Sequence, residues 1–461
     1  MSRGELARKL VHVACVGFAF LLRDMTAGQA AAMAVAALVF NWLVLPRIGG
    51  RALWRPADHA HGYPVGILAY PLAVLGLVVW FRDSLWMAAA VWGVLAVGDG
   101  MASLVGQSVG GPRLPWNEGK GWAGFAAFVL FGSAAAAVLL AWTARLPLDP
   151  LSWHAGRTVS VAFALALACA VVESLPTTLD DNLTVPLAGA VLLPLFAQAD
   201  PHLLATDPGV VPRLAAGLAV SGVSAALAWS VRAIDGAGAL SALVIGAAIT
   251  TGLGLPALAL MVTFFVVGSA ATRLGYAAKA ARGIAQERGG ARGWRHAWAN
   301  GGVPAFLGLL AGLTPVPLHD LLVVAYGGAV ATAAADTCSS EVGKAYGRRT
   351  VLITSLAPVS PGTGGGISLE GTLGGALGAG LVAGAGALLG VYAWPVAALV
   401  AAAGFLGALA ESVLGTVAEE RGWLDDHHLL NVVNTAMGAA FAVGLARLAG
   451  EVLGPGLHGR L

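Results

Sequence analysis

Long apolar runs separated by short polar connections dominate the chain. Runs that span or nearly span a bilayer's hydrocarbon layer fall at about 10–22, 30–46, 64–81, 84–107, 121–144, 158–176, 183–199, 211–231, 237–253, 255–272, 302–313, 321–338, 372–390, 391–410 and 432–449. In lipid a backbone amide finds no water to pair with, so each run is forced into a helix. The pattern predicts an all-α, polytopic transmembrane protein of about fifteen helices. The runs at 10–22 and 302–313 are the weakest, since a full span needs roughly 17–25 residues. A polar connector, QADPHLLATDPGVVPR at 198–213, divides the pattern into two nearly equal parts and predicts domains at 1–200 and 211–450.

Composition narrows the class. Only 11% of the 461 residues are charged, against roughly 25% in soluble domains, and the mean hydropathy is +0.79. That excludes a soluble globular domain, a disordered chain and a secreted disulfide scaffold. A net charge of +2 gives no footprint for nucleic acid. Cys15, Cys169 and Cys338 stand singly, without a CxxC pattern. The basic start, MSRGELARKLVHVACVGFAFLLR, reads as a retained first helix, because His12 interrupts its apolar run and no cleavage signature follows. With Arg3, Arg8 and Lys9 inside, alternate counting puts most Lys and Arg on the same face. They include Arg47, Arg51, Arg55, Arg113, Lys120, Lys344, Arg348, Arg349 and a cluster of Arg273, Lys279, Arg282, Arg288, Arg292 and Arg295. The positive-inside rule makes that face cytoplasmic, and a bacterial cytoplasmic membrane is the expected location.

Self-similarity supplies the first chemical signal. DGMASLVGQSVG carries Asp99, Ser103, Gly106 and Gly110, and DTCSSEVGKAYG carries Asp336, Ser340, Gly343 and Gly347. Both read D-x3-S-x2-G-x3-G, a spacing that lines one helix face. Glu173-Ser174 follows Asp99 by 74 residues, and Glu411-Ser412 follows Asp336 by 75. Two tandem related bundles, each with a site on the cytoplasmic face, explain this most economically.

An ionisable group within a membrane segment costs at least roughly 2.5–3.5 kcal/mol, so Asp99 needs a partner or a role. The connection GGPRLPWNEGKG adds Arg113, Glu118 and Lys120. Carboxylates, cations and exposed amides together suit a nucleoside triphosphate with Mg²⁺, with Asp99 and Asp336 as metal ligands. A glycine-rich helix-packing stripe with a snorkelling lysine is the plain alternative. ESLPTTLDDNLTVPLAG brings Glu173, Asp180, Asp181 and Asn182, three carboxylates with no cation nearby in sequence, which a bound metal would reconcile. Capping of the next helix accounts for one of the two aspartates. In the second half, Thr363, Gly364, Gly365, Gly366, Ser368 and Glu370 form a phosphate-cradle-like loop that lacks the GK[ST] of a Walker A motif. The basic connection 273–296 suits a second substrate that is already a phosphate, although topology or anionic lipid alone would also explain it.

These residues match known families. ELARKLVHV, GDGMASLVG, Lys120 and ESLP…DDNLTVPL resemble the phytol kinase and dolichol kinase family of CTP-dependent lipid alcohol kinases. Residues 211–450 resemble the phytyl-phosphate kinase family through WANGGVPA, YGGAVATAAADTCSSEVG, PGTGGGISLEGT and ESVLG…LLNVVNT. The resemblance implies a fusion of two consecutive enzymes that take an isoprenoid alcohol to its monophosphate and then its diphosphate, with CTP as donor and Mg²⁺. It carries Lys9, His12, Asp99, Lys120, Glu173, Asp181 and Asn182 to the first site. To the second it carries Asn300, Asp336, Ser340, Glu341, Thr363, Glu370, Glu411 and Asn434.

One departure stands out. First-half relatives follow the lysine as K-[ST]-x-E-G, whereas here Lys120 precedes Gly121, Trp122, Ala123 and Gly124, with Glu118 a candidate substitute carboxylate. The second half keeps Ser368, Leu369, Glu370 and Gly371. The reading predicts Asp181 or Asp180 as the base, Asp99 on the metal, and Lys120 and Arg113 against the triphosphate. A kinase of dolichol, another polyprenol or diacylglycerol is the near alternative, and a lipid or ion transporter the distant one.

Overall fold

The computed structural model describes residues 3–48, 50, 54, 58, 62–146, 153–286, 292–423 and 426–453. Arg51, Arg55 and Arg288 lie outside the described residues. The protein is all-α and polytopic, and among the described residues ten helices are long and apolar enough to cross a membrane. Contacts divide the chain into two compact units, Met1–Gln198 and Ala199–Leu461.

The first unit opens with α1 (Arg3–Ala14), and the predicted run at 10–22 is not one helix: a short turn at Val16–Ala19 and a 3-10 turn at Phe20–Asp24 follow. α2 (Ala27–Val39) starts at a capping box, in which Thr26 accepts from the Gln29 amide while the Gln29 side chain takes the Thr26 amide. α3 (Val65–Trp80) follows, then α4 (Leu85–Gly93), a π-helical turn (Val94–Asp99) and α5 (Gly100–Val109) in one continuous run. A hairpin of β1 (Arg113–Leu114) and β2 (Asn117–Gly121) leads into α6 (Trp122–Thr143), α7 (Trp153–Glu173) and α8 (Asp181–Gln198). Within Leu85–Val109, 72% of the apolar window is buried, against 33% for α6, so the aspartate-bearing run is the core around which the others pack.

The second unit runs α9 (Val210–Ser230), α10 (Gly236–Arg273), α11 (Tyr276–Ala281), α12 (Trp294–Gly312) and α13 (Leu318–Tyr346). A hairpin of β3 (Val351–Leu352) and β4 (Gly366–Ile367) precedes α14 (Leu369–Leu388), α15 (Trp394–Glu420) and α16 (His427–Leu453). At 38 residues α10 would be roughly 57 Å long, about twice a bilayer's hydrocarbon thickness, so it must break. It does so at Gly254, whose φ of 79° lies where only glycine sits freely, between the two predicted runs. The run expected at 302–313 belongs to a longer helix of 19 residues, because WRHAWANG continues the helix before it. α13 is again the core, with 83% of its apolar segment buried and α12, α14, α15 and α16 packed on it.

Candidate functional site

In the first unit, residues far apart in sequence converge where α5 begins. Lys9 Nζ donates to Asp99 Oδ2 at 2.9 Å, and His12 Nε2 lies 3.4 Å from the same oxygen. His12 Nε2 is also 3.1 Å from the Leu95 carbonyl, which can only accept, so that nitrogen carries the proton. The π-turn that exposes this carbonyl is a local widening common at functional positions. Lys120, delivered by β2, donates to Glu173 Oε1 at 2.6 Å and Asp181 Oδ2 at 3.3 Å, and also to the Glu173 carbonyl. Burial works against the Lys120 charge, but Glu173 and then Asp181 outweigh it and hold the ammonium above its ordinary value. Trp116 donates to Ser174 Oγ and Asn117 to the Ser174 carbonyl, both at 3.0 Å, which pins the hairpin to the turn beyond α7.

Carboxylate oxygens of Asp99, Glu173 and Asp181 all lie within 4.8 Å of one another. The trio expected from sequence, Glu173, Asp180 and Asp181, is therefore corrected in two ways. Asp180 turns aside to accept from the Asn182 amide and side chain at 2.9 and 2.7 Å, capping α8. The missing cation is Lys120, which sequence spacing had placed elsewhere. Glu118, the candidate substitute, is exposed on the hairpin and outside the trio. If all three acids ionise, Lys9 and Lys120 leave one negative charge uncompensated. An all-carboxylate donor set with that surplus fits a hard divalent cation such as Mg²⁺. Beside it a cavity of about 500 Å³ is lined by Ser103, Gly106, Arg113, Lys120 and Glu173.

The second unit holds a 420 Å³ cavity lined by Asp336, Ser340, Glu341, Gly343, Gly364, Gly365, Ser368, Glu411 and Asn300. Ser340 donates to Asp336. Ser368 caps α14 by accepting from the Gly371 amide at 3.1 Å. Glu341 is not a free acid: it is buried against Lys279, whose side chain is fully enclosed and also donates to the Thr272 carbonyl at 2.8 Å. Three expected residues lie apart from this lining. Thr363 donates to the Ser360 carbonyl at the surface, Glu370 accepts weakly from the Arg348 amide at 3.4 Å, and Asn434 is buried within α16. Conversely, Arg292, His296, Lys344 and His428 line the cavity, none of them singled out individually from the sequence as a site residue. Arg292 and His296 belong to the basic connection 273–296, which the sequence linked to a phosphate substrate or to topology without singling either residue out. His296 and His428, whose rings meet edge-to-face at 4.5 Å, are too distant in sequence to be paired by any local pattern.

Similarity to other proteins agrees with this architecture. The model of the integral membrane protein family DUF92 matches residues 219–446. An uncharacterised membrane protein of Synechocystis is 37% identical over 44% of this chain and 78% of its own length. The chloroplast protein VTE6 of Arabidopsis thaliana is 34% identical over 50% of this chain and 66% of its own. Chloroplast phytol kinase 1 of the same plant is 34% identical over 27% of this chain, which spans only 40% of that relative. No solved structure matches. On the family match and the extent of its likeness to the Synechocystis protein, the chain belongs to the integral membrane family DUF92.

Proposed function

We propose that the protein is a membrane kinase that phosphorylates a long-chain prenol, of which phytol is the leading candidate, in its first unit and the resulting monophosphate in its second. CTP is the phosphoryl donor and Mg²⁺ the cofactor in this reading. One observation carries it: Asp99, Lys120, Glu173 and Asp181, from four separate elements, meet at the core helix of their unit. Ionisable groups gathered within a membrane protein are expensive and mark function. Similarity to proteins named phytol kinase directs that function to prenol phosphorylation.

Asp99, Glu173 and Asp181 would hold the metal, which when bound offsets charge on the phosphate oxygens. Asp181, at the mouth of α8, accepts the proton of the prenol hydroxyl. The prenol oxygen bonds to the γ-phosphorus as the bond from that phosphorus to the β–γ bridging oxygen breaks, and CDP leaves. Lys9 and Lys120 spread the developing charge, and Arg113 faces the triphosphate from the cavity wall. In the second unit Asp336 and Glu411 take the carboxylate roles, with Arg292 and Lys344 as cations for a more anionic substrate pair. The positive-inside bias supports a cytoplasmic opening for both sites.

Membranes carrying the protein, given γ-labelled CTP and phytol, should yield labelled monophosphate and diphosphate. Asp336→Ala should accumulate monophosphate, whereas Asp99→Ala should block the alcohol yet still convert supplied monophosphate. Equal loss of both steps in both variants would overturn the division of labour, and no labelled lipid from any prenol would overturn the kinase reading.

A further inference from the structure

The polar cavity of the second unit shares a wall with an apolar one. A chamber of about 120 Å³ lies between α9, α10 and α12, lined by side chains such as Ala225, Ala242, Leu258, Val262 and Phe265. Three residues, Arg292, His296 and Asn300, line both spaces. Each marks a change of chemistry, from carboxylates and glycine amides on one side to hydrocarbon on the other.

Arg292 is the unusual member. Its guanidinium lies 5.8 and 5.9 Å from the ring centroids of Phe264 and Phe265, and its nitrogens rest against Gly268. A Cβ at Gly268 would sit 3.0 Å from one of them, so glycine there leaves room for the guanidinium against the helix. Among the described residues it makes no ion pair: Glu341, which attracts it, is committed to Lys279. A cation beside two aromatic rings, with no ion pair of its own among the described residues and lining a polar cavity, is arranged for an anion that arrives from outside.

Resting on the kinase reading above, we propose that this junction orients the lipid monophosphate. The phosphate is held by Arg292 with Asn300 at the boundary, and the first part of the hydrocarbon chain enters the apolar chamber. The chamber is too small for a long prenyl chain, so the remainder passes on into the surrounding lipid. The cavity side then presents a phosphate oxygen toward Asp336 and Glu411. Recognition is thereby split: Arg292 reads the charge, and the chamber reads the hydrocarbon next to it.

The split can be measured with purified protein in detergent, using dimethylallyl monophosphate and geranylgeranyl monophosphate as short and long probes. Arg292→Gln should raise KM for both by about tenfold or more and leave their ratio unchanged, as loss of a charge-assisted contact requires. Arg292→Lys should recover part of the loss. Ala242→Phe, which fills the chamber that takes the first part of either chain, should also raise KM for both prenyl probes by about tenfold while leaving binding of methyl phosphate, which has no chain to seat, unchanged, whereas Arg292→Gln weakens methyl phosphate as well. Equilibrium binding of both probes without nucleotide, and the thermal unfolding midpoint of each variant, separate recognition from misfolding. Normal KM values and binding in both variants, with turnover intact, would overturn the junction while sparing the kinase reading. Absence of monophosphate turnover and binding in the unaltered protein would overturn both.

Discussion

A Cβ on Gly124 in the first unit would lie 2.9 Å from the Ala102 carbonyl oxygen, and one on Gly371 in the second would lie 2.8 Å from that of Ser339. Ala102 and Ser339 each follow their helix aspartate by three residues, and in both units the crossing also brings Gly106 or Gly343 against the partner glycine. The backbone crossing beneath the two sites is thus the same. The charges are not. The first unit places Lys120 on the hairpin, four residues before Gly124, where the second has Ile367. The second places Lys279 on α11 and pairs it with Glu341, a position that holds Leu104 in the first. Packing fixes where the helices meet, and the cations are free to move to suit what each cavity receives.

The two lysine–glutamate pairs offer the strongest way to break that comparison. Lys279 is fully enclosed, so Lys279→Met leaves the buried Glu341 without its counter-charge and should destabilise the second unit by about 3–5 kcal/mol. Replacing both partners, Lys279→Met with Glu341→Leu, should recover most of the loss, read as the thermal unfolding midpoint in detergent. A double variant as unstable as the single one would show that the ion pair is not what Lys279 contributes. Lys120 is 30% exposed and faces a cavity, so its loss should appear in rate rather than stability. Lys120→Met should lower prenol phosphorylation on the order of 10²-fold while conversion of supplied monophosphate continues. A reversed pattern, with stability lost and the prenol rate kept, would make it a structural pair like Lys279.

The glycine crossings come next. Gly124→Ala and Gly371→Ala each push a methyl group against a backbone carbonyl that cannot rotate away, and each should cost about 1–3 kcal/mol. Similar shifts in unfolding midpoint sharpen the case that the crossings are one device used twice. A cost at only one would mean the matching distances arise from different packing.

Much of this was legible in the chain, and the residues show why. The apolar runs gave the helices because lipid leaves the backbone no alternative, and Gly254 broke α10 where the pattern paused. Asp99 and Asp336 announced themselves by being charged within apolar runs. Partners were harder to read. Lys120 meets Glu173 and Asp181 only because a hairpin folds it back across the turn after α7, and Lys279 meets Glu341 across two helices. Both are tertiary facts without a local spacing rule. Asp180 and Asp181 are adjacent and chemically identical, and only the direction of α8 decides which one caps and which one joins the trio.

The smallest effect concerns the absent carboxylate after Lys120. Ala123 stands where the second unit has Glu370, two positions beyond the residue that matches Ser368. Glu370 lies outside the cavity lining, 3.4 Å from the Arg348 amide and 4.0 Å from its guanidinium, so its contribution is that of a weak surface pair. Restoring the motif by Ala123→Glu should therefore change prenol phosphorylation by less than about twofold, since Asp99, Glu173 and Asp181 already supply three oxygen donors within reach of one another. Initial rates with phytol and with geranylgeraniol would check this. A gain of tenfold or more would mean that position 123 faces the reacting phosphate in the first unit, and the two units would then differ in where their carboxylates act as well as in where their cations sit.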